Sequence, residues 1–148
     1  MNRTMAPKRT GFTLIEMLIV IVVIAILALI VIPRLLGAGR KAKEAALRGD
    51  LHQLRNAIQQ FEADLGDYPA SLDQLVADKS AAPSGVGGTG LDLDSAGYQG
   101  PYLSGGLPKD PFTNAADWTY VTDATAGTAS VNSASTLTAL DGTAYIDW

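Results

Sequence analysis

The chain has 148 residues, 47% apolar and 18% charged, which suits one small domain plus an appendage and excludes a disordered polymer. It has no cysteine and one histidine, His52, so a disulfide framework, a thiol nucleophile, a histidine triad and a multi-histidine zinc site are all excluded. The net charge of −4 is split unevenly: residues 1–55 hold nine Lys/Arg against Glu16, Glu44 and Asp50, and residues 56–148 hold Lys79 and Lys109 against twelve acids. The acidic part repels phosphate backbones, so no nucleic-acid contact is expected from it. Basic residues beside an apolar segment serve membrane placement.

That segment comes first. Met17 to Ile32 is sixteen positions without a polar side chain. Phe12 to Ile32, as a helix rising about 1.5 Å per residue, spans roughly 31 Å and matches a hydrocarbon core of about 30 Å. Lipid requires every backbone group to be satisfied internally, which selects helix over strand. Pro33 removes a backbone donor and predicts a kink. A secretory signal peptide is the first alternative, with Gly37-Ala38-Gly39 as a cleavage-site mimic, but its apolar core is shorter. A plain signal anchor is the second, and the positive-inside rule does not orient it, because Lys/Arg flank both ends. A buried core helix fails, since residues 56–148 are too poor in apolar side chains to wrap it.

The start of the segment reads Lys8-Arg9-Thr10-Gly11-Phe12-Thr13-Leu14-Ile15-Glu16. It resembles the leader of type IV pilins and type II secretion pseudopilins. The resemblance implies cleavage by a prepilin peptidase after Gly11, removal of residues 1–11, and N-methylation of Phe12. It implies that Glu16 attracts the amino terminus of a neighbouring subunit during filament assembly. Glycine lets the backbone approach a protease without a Cβ. Glu16 is the one ionisable group inside the apolar run, where an acid is costly enough to point to function. Its structural alternative is a carboxylate favoured by the helix start.

Next, Leu47, Leu51, Leu54, Ile58, Phe61 and Leu65 recur at 4-3-4-3-4, an apolar stripe predicted to pack a stem helix on a domain. The helix is predicted to run from Phe12 to Leu65, with residues 12–33 as the transmembrane and assembly part and 34–66 as the amphipathic part. Gly66 is the predicted C-cap, and Tyr68-Pro69 stops continuation. His52 reads as a boundary residue.

Residues 67–148 are predicted to form a small globular domain. Ser71 is the expected N-cap of a short helix over Leu72–Ala77. Residues 80–106 form a long Gly- and Ser-rich loop. Three strands are predicted at Trp118–Val121, Thr128–Val131 and Thr143–Ile146. Gly66-Asp67-Tyr68-Pro69 and Leu107-Pro108-Lys109-Asp110-Pro111-Phe112 are similar to the major pseudopilin family of type II secretion. The fold class expected is α+β, a pilin fold with a long N-terminal helix packed against a small antiparallel sheet. Members of that family often bind calcium through closely spaced aspartates. Here Asp123 and Asp141 are isolated, as are Asp92 and Asp94, and all read first as turn residues, so no cofactor is expected and calcium is a weak candidate.

The resemblance implies a non-enzymatic filament subunit of type II protein secretion, or alternatively a type IV pilin for attachment, motility or DNA uptake. It implies an inner-membrane, single-pass precursor with a periplasmic C-terminal domain. The partners implied are further copies of the chain, a prepilin peptidase, an inner-membrane assembly platform and minor pseudopilins. No Gly-x-Ser-x-Gly elbow is present, and no hydrolase is expected.

Overall fold

The computed structural model describes residues 11–148, with the backbone alone for helix residues 33–36. Helix α1 covers Leu14–Leu65. Strands β1 (Thr119–Asp123) and β2 (Thr128–Asn132) pair antiparallel, Val121 opposite Ser130. Short 3₁₀ turns lie at Leu72–Leu75, Lys79–Ala81, Ser95–Gly97 and Tyr145–Asp147. The chain divides into two compact units, one up to Arg40 and one from Lys41 to Trp148. The result is the α+β pilin fold, a long N-terminal helix with a small antiparallel sheet.

In the first unit, α1 starts two residues later than Phe12 because Thr13 ends the extended segment by capping the helix. The helical assignment continues through Pro33, whose side chain, and with it the expected kink, lies outside the described residues. The leader, apart from Gly11, also lies outside them.

The second unit is built on the amphipathic half of α1. Leu47, Leu51, Leu54, Ile58, Phe61 and Leu65 are all between 0 and 4% exposed, joined by Ala57. Against this stripe pack Leu72, Leu75, Leu93, Tyr98, Leu103, Trp118, Val131, Ala139 and Tyr145. Tyr98 and Tyr102 meet Phe61 edge-on, and Phe112 stacks on Tyr145 at 4.2 Å. Gly66 closes the helix with φ +85°, donating its N–H to the Glu62 carbonyl at 2.8 Å, a left-handed cap that suits glycine.

Two local expectations are corrected. Leu72–Leu75 is a 3₁₀ turn, not a helix to Ala77, and the Ser71 side chain makes no cap bond. Gln74 reaches back past it, its Oε1 accepting from the Ala70 N–H at 2.8 Å. The third strand is absent. Thr143–Ile146 makes a single bridge, Ala144 opposite Thr138, and then curls into the 3₁₀ turn that places Tyr145 in the core. The Asp141-Gly142 turn is too tight for a longer ladder: Asp141 Oδ1 takes the Thr143 N–H at 3.0 Å and Gly142 has φ +90°.

Candidate assembly interface

Seventeen large apolar residues between Phe12 and Ile32 are each 45–84% exposed. The most apolar 18-residue stretch of α1 has a mean hydropathy of 3.4, and none of it is buried within the chain. Water does not tolerate such a surface, which requires lipid or other helices as solvent.

At its start stands a capping box. The Glu16 N–H donates to Thr13 Oγ1 at 3.3 Å, and Glu16 Oε2 accepts from the Thr13 N–H at 3.4 Å and from the Thr13 hydroxyl at 3.5 Å. The Thr-x-x-Glu spacing was visible in the sequence and is the signal for this pair. Gly11 and Phe12 precede the helix. Among the described residues, a Cβ built on Gly11 meets nothing within 4 Å, so their packing does not demand glycine there.

In the second unit, two buried carboxylates organise the loops. Asp67 accepts from the N–H groups of Tyr68 (2.7 Å), Thr89 and Leu91 (both 3.1 Å) and from the Thr89 hydroxyl. Burial raises its pKa, but these hydrogen bonds outweigh burial and hold it below the ordinary value. Asp110, fully buried, accepts from the Phe112 N–H at 2.7 Å and from the Ser133 hydroxyl, tying the Leu107–Phe112 string to the end of β2. Burial, then the Asp110 charge, pushes Asp50 above the usual range. Glu44 Oε1 accepts from the Leu140 N–H and the Tyr145 hydroxyl, both at 2.8 Å. In the sequence, Asp67 and Asp110 stand out only within the two family-like strings, and Glu44 and Asp50 only in the charge balance, because burial is not written in a lone acid.

The calcium candidates are occupied by their own backbone. Asp123 Oδ1 accepts from the N–H groups of Thr125 (2.8 Å) and Ala126 (3.1 Å). Asp141 accepts from Thr143 and lies 3.6 Å from Arg48; the Thr143 hydrogen bonds and then Arg48 lower its pKa. Asp94 accepts from the Ala96 N–H at 3.2 Å. Among the described residues no three His, Cys, Asp or Glu side chains gather. Calcium takes six to eight oxygens, backbone carbonyls among them, and each of these aspartates stands alone.

The prokaryotic N-terminal methylation motif matches residues 7–32, and the type II secretion system protein G family matches residues 34–143. The chain belongs to the protein G family of type II secretion. The "Type II secretion system core protein G" of Aeromonas hydrophila is 35% identical over 111 residues, 72% of this chain and 70% of the relative. That of Vibrio cholerae is 35% identical over 128 residues, 84% and 78%. That of Escherichia coli is 33% identical over 110 residues, 72% and 69%. No solved structure matches. Membership of the protein G family makes the chain a major pseudopilin, a structural subunit of the pseudopilus, and favours this over the surface-pilin alternative. Its relatives are structural components of secretion systems, not enzymes.

Proposed function

We propose that this pseudopilin is held in the inner membrane by residues 12–33, with residues 67–148 on the periplasmic side, until it is cut and polymerised. A prepilin peptidase adds water across the Gly11–Phe12 amide, leaving a carboxylate on Gly11 and an ammonium on Phe12. A sulfonium methyl donor then methylates the Phe12 amine, which gives up a proton as the donor leaves as a thioether. Subunits leave the bilayer through an inner-membrane assembly platform, together with minor pseudopilins. The observation that carries the reading is Gly11: it stands at the foot of an exposed apolar helix, where the packing of the described residues leaves room for any side chain. A need for glycine there comes from outside that packing, and close backbone approach by a protease is such a need.

The new Phe12 ammonium lies one residue from the Thr13–Glu16 pair. Both charges are costly in lipid and cheaper together, and pairing them between subunits fixes a register. Mass spectrometry of filaments should give an N-methylated Phe12 as first residue, and Gly11→Leu should leave the precursor uncut. An N-terminus at Met1 or near Arg40 overturns the reading.

A further inference from the structure

We propose that the groove lined by Arg48, His52, Arg55 and Trp148 docks the acidic Leu65 end of a second copy of this chain, an inference that rests on the filament reading above. The groove encloses about 380 Å³, with Leu51 as its floor, and no Asp or Glu side chain lines it. Arg48, His52 and Arg55 fall at i, i+4 and i+7 on α1 and so share one face. Trp148 forms the opposite wall, its ring centroid 4.3 Å from the Arg48 guanidinium. Arg55 is held in place by main-chain oxygens, donating to Trp148 at 2.6 Å and Val131 at 3.1 Å. Arg48 touches Asp141 at 3.6 Å, but both side chains are more than half exposed, and such a pair exchanges partners at little cost. Lys41 and Glu44 line a second groove that shares Arg48.

The other end of the same unit has the opposite sign. Between Arg55 and Leu65 α1 advances roughly 15 Å. It ends there at the negative pole of the helix dipole, and no basic residue lies in its last turn. The Asp94 N–H bonds to the Leu65 carbonyl at 2.9 Å, which fixes Asp92 and Asp94 at this end, both exposed. Among the described residues neither forms an ion pair.

Positive groove and negative end are different surfaces on one subunit. A contact between them is heterologous, does not close on itself, and repeats from copy to copy along a polymer. Arginine and tryptophan are the side chains most enriched at the centres of such contacts. The axial fit adds direction and register, because like-charged juxtapositions at other offsets are repelled.

The test uses the full-length chain in cells carrying its assembly machinery. Arg48→Glu, or Asp92→Lys with Asp94→Lys, should each lower sheared-filament yield by about tenfold or more, and combining the reversals in one chain should restore it. The chain has no cysteine, so His52→Cys with Asp92→Cys gives a background-free report. Oxidised filaments of this variant should run as a ladder of linked subunits, with either single substitution giving none. Wild-type-like yield from both reversals, or filaments of the doubly substituted chain without a ladder, overturns the docking and leaves the filament reading standing. A partner other than a second copy, cross-linked through the thiol of His52→Cys in place of the ladder, also overturns it. Failure of the wild-type chain to form filaments removes both.

Discussion

Asp67 shows how much one side chain organises. Its two oxygens collect four donors and close residues 87–91 over the end of α1. Its pKa is depressed in the folded chain, so the stabilisation is fully present above the ordinary value of 3.8 and is lost as pH falls through the folded pKa. Asp50 runs the other way: its raised pKa makes the ionised form costly, and that cost is relieved on acidification. In urea titrations of a soluble fragment from Ala38 onward, Asp67→Asn should therefore lose about 1–3 kcal/mol at pH 7 and flatten the acid limb below about pH 4. Asp50→Asn should be neutral or stabilising at pH 7. A wild-type acid limb in Asp67→Asn assigns acid sensitivity to other carboxylates. Gly97 is a second test at this scale. A Cβ there would stand 2.1 Å from the Asp64 carbonyl oxygen, a backbone atom of α1 that cannot swing aside, so Gly97→Ala should lower the midpoint while Gly39→Ala, in open space, should not.

Among the elements, the stem stripe carries the fold. Phe61 is fully buried between Tyr98 and Tyr102, and Phe61→Ala should cost about 3–5 kcal/mol, read as a shift of the thermal midpoint of the same fragment. That stripe was legible because a 3.6-residue period survives in six positions of one helix. The third strand was misread because β-branched and aromatic content in Thr143–Ile146 fits a strand as well as a 3₁₀ turn with one buried ring. Only the position of Tyr145 against Phe112 separates them. The buried acids were illegible for a related reason: what buries Asp110 is Ser133, twenty-three residues away. The loops make their own closures, Asp123 and Asp141 each bonding a backbone N–H two residues on. Calcium at millimolar concentration, against a chelator, should leave the fragment's thermal midpoint within about a degree, since these oxygens are committed to turns. A rise of many degrees would show a site assembled from them.

At the scale of the whole molecule, every buried core residue among the described ones lies between Leu47 and Tyr145, and none comes from the apolar segment. Folding therefore does not draw on the apolar segment, which is why a fragment lacking that segment can test the fold. Glu16 belongs to that segment. In the pairing proposed above, Glu16→Val removes one member of a charge pair, a loss that costs about 3–5 kcal/mol per subunit in an apolar setting. It should be inserted and cleaved at wild-type levels yet enter filaments poorly, with Glu16→Gln impaired as well. Sheared-filament yield at matched membrane levels measures this, and wild-type yield from Glu16→Val would leave apolar packing as the only driver. The seventeen exposed apolar residues between Phe12 and Ile32 have one more consequence. A subunit shed from the free tip into water would carry a hydration penalty of some tens of kcal/mol, whereas one returned to lipid carries none. Such a polymer snaps into pieces but does not evaporate from its tip: it grows and shortens at its membrane end, and the bilayer is its only reservoir of monomer.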